Sequence, residues 1–513
     1  AQGNNGMEVV SIGSKAEWKA FCQRVNDNGE PFLNAKLTQD VDLGGEIVMV
    51  GNYDKMYSGT FDGQGHTLKF NWNAGKDDRI APFWCVKDAT IKNLRTQGKI
   101  TSKGYSLSGM VRVALGTTTI SGCISAVNIT SSYTSDRCGA GGLISFIYTN
   151  TQVTITDCLV KGSITDNADE SERTMAGFVF FNGGTYTLTR CLYVGKNNAP
   201  NDKYSKTFGT ESGISATFTD CYYLNPCGKI QGDRVTADQL KSGEVAKMLQ
   251  ADRNDQCYWA QALGEEPAPY READKAEANY VYYNKENNGW VCDDFRLTDD
   301  KPLPIGLDFT ATRATYERDL STGKATLCLP YDLPVQGFKA YTLSGGNNSA
   351  VYFADAKDKL EAYKPYLLTA NGTLQLGGEN IQVKAYKGDA LTTPAGKYSF
   401  VGTVTGVDNA TAAAANAYIL QNDGLFHKVT TEHPGATVPA YHAYVVCPKN
   451  LGAKELSIII DGETTGIGGV TNGRADGPVY DLQGRRVADR LDDARHQLPT
   501  GIYIVGGRKV VVK

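Results

Sequence analysis

No apolar run in this 513-residue chain approaches the roughly 18 residues that a membrane-crossing helix needs, so no transmembrane segment is expected. An excess of positive charge is also missing: 52 Lys and Arg stand against 56 Asp and Glu, for a net charge of −4. That removes the basic surface on which nucleic-acid binding rests. Histidine is scarce, at five residues, and none of the 12 cysteines forms a CxxC pair. Zinc sites are built from such clusters, so no metal is expected; His66 reads as a turn residue, and His427, His433 and His442 fall in one stretch without metal-ligand spacing. Twelve cysteines in 513 residues are also too few for a disulfide scaffold. GxSxG, HExxH, the P-loop and the EF-hand loop are absent, and with them the common signatures of several hydrolase, nucleotide-binding and calcium-binding classes. No cofactor is expected.

What the chain has instead is a repeat. An apolar residue, two further residues and then cysteine recur at Ile120 to Cys123, Ile155 to Cys158, Leu188 to Cys191 and Phe218 to Cys221. An earlier copy, Ile91 to Leu94, has leucine in the cysteine slot, and the slots fall 29, 35, 33 and 30 residues apart. The flanks match too, with LRTQGKIT from Leu94 and CLVKGSIT from Cys158. A repeat of this length is one supersecondary unit copied and stacked. The segments TQVTIT (151–156) and GTYTLT (184–189) alternate polar and apolar residues and are rich in threonine, which is the strand period with one face buried. Runs such as GGLISFI (141–147) and AGFVFF (176–181) suit strands pressed into an interior.

The fold class expected is therefore all-β. A right-handed parallel β-helix occupies 1–305, followed by a β-sandwich (306–463), a linker (464–477) and a small β tail (478–513). Leu94, Cys123, Cys158, Cys191 and Cys221 should form one inward ladder of structural side chains. The cysteines are read as free buried thiols, because parallel side chains aimed the same way give poor disulfide torsions. Two helices frame the solenoid. Ser14-Lys15-Ala16-Glu17 is a capping box leading Trp18, Phe21, Cys22 and Val25 at helical spacing, expected to cap the first coil. Thr236-Ala237-Asp238-Gln239 is a second capping box leading Leu240, Val245, Met248 and Leu249, expected to cap or buttress the other end.

Abundant Gly (56) and Tyr (28) suit an extracellular all-β protein, and the opening Ala1-Gln2-Gly3 fits a terminus left by a signal peptidase or by trimming. Binding, if it uses the coils, falls to aromatics: Trp84, Tyr105, Tyr133, Tyr148, Tyr222 and Tyr223 can stack on sugar rings, and a rigid solenoid face loses little entropy on binding. The same residues could equally be core and turn fillers. The charged loops Asp54-Lys55 and Asp77-Asp78-Arg79 could line a polysaccharide groove or simply be solvated. No catalytic residues can be named, because the coil motifs offer threonine, glycine, cysteine and apolar side chains rather than a paired base or carboxylates.

The segment AEWKAF…NAKLTQDVDL…YSGTFDGQGHTLKF…IKNLRTQGKI resembles the opening of GLUG-motif β-helix proteins of Bacteroidetes, which are adhesin-like surface proteins. TADQLKSGEVAKMLQ…YWAQALGEEPAP resembles the stretch that comes after the helix in such proteins. The family's Gly-Leu-Phe-Gly turn is replaced by Ala81-Pro82-Phe83-Trp84, Ser108-Gly109-Met110-Val111 and Ala176-Gly177-Phe178-Val179. The tail, with VYDLQGRRV (479–487) and LPTGIYIVGGRKVVVK (498–513), resembles the C-terminal sorting domain of type IX secretion substrates. The resemblance implies an exported repeat protein, acting as a monomer at the cell surface, associated with the outer membrane or extracellular. It would bind a glycan or a host or bacterial surface partner. A polysaccharide lyase or glycoside hydrolase on the same scaffold, and a structural spacer, are the alternatives.

Overall fold

The computed structural model describes residues 8–75, 79–134, 138–201, 204–211, 215–388, 391–461, 477–494, 496–505 and 508–512. The expected linker therefore lies, but for its last residue, outside the described residues. The chain divides into two compact units: 1–297 with 303–315 and 377–387, and 298–302 with 316–376 and 388–513.

The first unit is a parallel β-helix. One sheet of eight strands runs from Val9–Ile12 to Ser215–Thr219. A second, of nine strands, runs from Val41–Asp42 to Asp233–Arg234. A third joins Phe83–Lys87, Val111–Leu115, Ile144–Ile147 and Val179–Asn182. The register explains the repeat. Phe61, Ile91, Ile120, Ile155, Leu188 and Phe218 stand in line across the first sheet. Each coil then turns a corner on a residue in the left-handed region: Asn93, Gly122, Asp157, Arg190 and Asp220, with φ between 51° and 63°. The slot after each corner is Leu94, Cys123, Cys158, Cys191 or Cys221, none more than 2 % exposed. All 12 cysteines are free thiols. Burial pushes the thiols of Cys158 and Cys191 well up, and ladder sulfurs approach carbonyls, as Cys158 Sγ does Thr156 O at 3.3 Å.

The N-terminal helix, Lys15–Asn26, buries Trp18, Phe21, Cys22 and Val25. Ser14 Oγ accepts the Glu17 N–H, and Glu17 accepts from the Gly13 N–H. Trp18 packs edge-on against Phe61 and Phe83, so the helix covers the aromatic interior of the first coils. The second expected helix is two short ones, Ala237–Lys241 and Glu244–Gln250, broken where Gly243 adopts φ +84°. The segment C-terminal to these two helices buttresses the side of the solenoid. Arg253 pairs with Asp157 through two bonds of 2.7 and 2.8 Å, and Trp259 Nε1 donates to the same carboxylate. A six-stranded sheet completes the unit, and it recruits Phe309–Thr315 and Gly378–Val383 from what the sequence assigned to the sandwich. Turn signals mark where strands end; which sheet a strand joins is decided by partners distant in sequence.

In the second unit one mixed sheet of ten strands folds back on itself, with Phe353 packed edge-on against Phe400 across a shared core. This mixed sheet occupies the region expected as a sandwich. The tail is a separate antiparallel sheet of four strands between Val479 and Val512. Among the described residues no helix is long and apolar enough to cross a membrane.

Candidate functional site

In the third sheet Phe83, Val111, Ile144 and Val179 point into the coil, in mutual register. Two positions along, Phe146 and Phe181 pair across the strands outside the core, their rings stacked at 4.4 Å. Tyr148 packs on Phe146 at 5.1 Å. The neighbouring coils add Trp84 and, from a loop that interrupts the preceding coil between Val50 and Tyr57, Tyr53, with ring centroids 5.0 Å apart. Tyr53, Tyr148 and Phe181 are 42 %, 37 % and 40 % exposed. Phe181 lies in its strand, Tyr148 follows the strand Ile144–Ile147 and Tyr53 stands on the loop, and together these exposed rings make an aromatic face.

A single guanidinium fixes part of this face. Arg112 lies over the Trp84 ring at 3.8 Å and the Tyr53 ring at 5.4 Å. It donates to the Tyr53 hydroxyl at 2.8 Å and to the Trp84 carbonyl at 3.3 Å. Burial alone would raise the Tyr53 phenol; the Arg112 guanidinium outweighs it and holds the phenol below its ordinary value. The Tyr148 phenol is raised, first by its hydrogen bond with Tyr53. Burial lowers Arg112 itself. Arg112 is 3 % exposed and has no carboxylate partner among the described residues, so the rings supply the interaction that would otherwise come from an acid. Alongside, Arg79 lies over Tyr105 at 4.9 Å and bonds its hydroxyl, and Tyr105 packs on Tyr133 at 5.3 Å. Trp84 Nε1 donates to the Arg79 carbonyl, which ties this pair to the main face.

Four of the six aromatics singled out from sequence, Trp84, Tyr105, Tyr133 and Tyr148, thus belong to one neighbourhood. The other two do not. Tyr222 and Tyr223 are in the second sheet, where Tyr223 is 4 % exposed within the solenoid core and Tyr222 is half-buried. The sequence reading missed Tyr53, Arg112, Phe146 and Phe181. A signal existed for Arg112, the lone charge in the run Gly109-Met110-Val111-Arg112-Val113-Ala114-Leu115.

No protein-family model, curated protein or solved structure matches this chain. The chemistry of the face therefore rests on its own residues. Flat, polarisable rings with phenol hydroxyls at their edges suit stacking on sugar rings. Of the loop charges, Asp77 and Asp78 lie outside the described residues; Asp54 and Lys55 are in the loop that carries Tyr53. Among the histidines, His427 meets Asp423 at 2.7 Å through Nε2 and Glu455 at 3.9 Å through Nδ1. Asp423, His427 and Glu455 each offer one ligand atom, all within 4.8 Å of one another, an exposed grouping that could hold a metal ion and that the histidine spacing in sequence did not suggest.

Proposed function

We propose that this chain is an exported, adhesin-like surface protein of the GLUG-motif type that binds a glycan through the outer aromatic face of its solenoid. The observation that carries the reading is the convergence of Trp84, Phe146 and Phe181, from strands of the third sheet, with Tyr148 and Tyr53 from the turns beside it. Large aromatic side chains left exposed are costly in water, and stacking on a ligand recovers part of that cost. The cation–π clamp of Arg112 presets two of the rings, so little conformational entropy is lost when a sugar docks. The coil motifs place threonine and apolar residues where a hydrolytic enzyme would need two carboxylates at a defined separation, which supports binding over turnover.

A glycan array probed with the full chain tests this directly. Retention of a defined set of glycans, without growth of ultraviolet-absorbing unsaturated uronates on pectin, alginate or a glycosaminoglycan, is the expected result. Steady product formation would favour the lyase reading, and a blank array would favour the spacer.

A further inference from the structure

A cavity of about 620 Å³ lies elsewhere on the first unit, between the corner turns of the coils and the segment 256–272 that lies over them. Its charge is unusual for its place in the repeat. Arg95 shares its register position with Ile124, Leu159, Leu192 and Tyr222 of later coils. Lys92 shares its own with Ser121 and Thr156. The coils that follow thus carry aliphatic, aromatic or small hydroxyl side chains at these two positions, while the preceding coils place Thr67 in line with Arg95, and Asp62 and then Lys36 in line with Lys92. Arg271 enters from the overlying segment, donating to the Gly65 carbonyl at 3.0 Å and to Asp274 Oδ1 at 2.6 and 3.0 Å.

Asp274 is the acid within ion-pair distance of both guanidinium groups, and Asp40 adds its charge to both from further away. Asp274 is committed to Arg271 and stands 3.7 Å from Arg95, whose side chain is only 17 % exposed. Arg95 makes one hydrogen bond, to the Pro269 carbonyl at 3.1 Å, which leaves its Nε and Nη1 donors without a protein partner among the described residues. Lys92 has no ion pair among them. Two further acids line the cavity and both are engaged: Glu272 by Tyr270 and Lys275, Asp157 by Arg253 and Trp259. Burial and the neighbouring Arg271 charge lower Arg95, against the opposing charges of Asp274 and Asp40. The repeat does not need a cation at the Arg95 position, because Thr67, Ile124, Leu159, Leu192 and Tyr222 fill it in other coils.

We propose that this cavity is a second binding site, for an acidic saccharide whose carboxylate or sulfate is held by Arg95 and Lys92 while its ring lies against Tyr270. The free donors match an oxyanion, and the rest of the lining (Gln64 and Asn93 amides, the Ser121 and Thr156 hydroxyls) matches sugar hydroxyls. The volume exceeds what an inorganic ion would fill. The inference shares the view that the solenoid binds glycans but does not use the aromatic face.

Calorimetric titration of the full chain with three oligosaccharides of equal length tests it: an oligogalacturonate, a sulfated oligogalactan and a neutral oligogalactan. The expected result is binding of one or both acidic oligomers and not of the neutral one, weakening as salt rises; the preferred acid names the oxyanion. Arg95→Leu, which installs the residue of the Cys158 coil, should keep the melting temperature and weaken acidic-oligomer binding at least tenfold. Lys92→Thr should weaken it several-fold, and Trp84→Ala should leave it unchanged. Equal binding of acidic and neutral oligomers, no binding of any, or undiminished binding by both Arg95→Leu and Lys92→Thr would overturn the proposal. Loss with Trp84→Ala instead would return the binding to the aromatic face. A blank glycan array alongside acidic binding lost in Arg95→Leu would retire that face and keep this site.

Discussion

Cys158 is fully enclosed between Cys123 and Cys191 in the inward ladder, yet the same slot holds Leu94 in the first full coil. The slot therefore selects for small and apolar rather than for sulfur chemistry. Cys158→Leu should cost about 1–3 kcal/mol through overpacking. Cys158→Asp should cost several kcal/mol more, because a carboxylate there has no partner. Melting curves of the two variants check the order, and equal midpoints would contradict burial of the ladder. Arg190 is the opposite case. It occupies a left-handed corner, φ +53°, where other coils use Asn93, Gly122, Asp157 and Asp220. Its buried Nε finds no hydrogen-bond partner. Arginine gains nothing there that asparagine would lose, and the left-handed conformation costs an ordinary side chain about 1 kcal/mol. Arg190→Asn should raise the denaturation free energy by ~0.5–1 kcal/mol; a fall would mean that the guanidinium has a role not visible in its bonds.

At the scale of elements, the segment after the two short helices is tied to the coils by one carboxylate. Asp157, itself a corner residue, takes two bonds from Arg253 and one from Trp259, and both partners are largely buried. Asp157→Ala would strand a buried guanidinium and should cost about 3–5 kcal/mol. Hydrogen exchange should show faster opening over 250–262, whereas Asp157→Asn, which keeps the corner conformation, should cost less. In the second unit Asp299, Tyr316, Arg318 and His442 form a network that runs from buried Tyr316 and Arg318 out to exposed Asp299. Arg318 approaches His442 Nδ1 at 3.4 Å, and His442 Nε2 bonds Asp299 at 3.0 Å. A guanidinium at Nδ1 fits a neutral ring with its proton on Nε2. Burial lowers His442. Burial opposes ionisation of Asp299, but the bonds from His442 and Tyr316 prevail and hold it at about 2. Both folded values lie below the unfolded ones, so the stability they confer is present at neutral pH. It should fall as pH drops below about 6.5 for His442 and again below about 4 for Asp299. Thermal melts across pH 7 to 3 check this, and His442→Gln should remove the upper step.

Across the whole molecule, legibility tracked locality. The β-helix was readable because its signal repeats: the apolar-x-x-Cys spacing maps directly onto the register of Ile120, Ile155 and Leu188. Helix caps were readable because Ser14 and Thr236 act within three residues. The break at Gly243 was there to be seen in Lys241-Ser242-Gly243-Glu244, where helical spacing of the flanking apolar residues masked it. The membership of Phe309–Thr315 was not readable, since its partners Gly289–Arg296 and Gly378–Val383 lie on opposite sides of it in sequence. The aromatic face was half-readable: Trp84 and Tyr148 stood out by type, while Tyr53 and Phe181, 128 positions apart, belong to coils with three others stacked between them.

The central claim is that this surface, and not aromatic content in general, binds glycan. Titration of an array-selected glycan against the full chain, Trp84→Ala, Tyr148→Ala and Tyr222→Ala measures it most directly. The account predicts at least a tenfold loss of affinity for Trp84→Ala and Tyr148→Ala, with the melting temperature retained in Tyr148→Ala and lowered in Trp84→Ala, where Arg112 loses a ring, and no change for Tyr222→Ala in the second sheet. Undiminished binding by Trp84→Ala and Tyr148→Ala, or an equal loss for Tyr222→Ala, would contradict it.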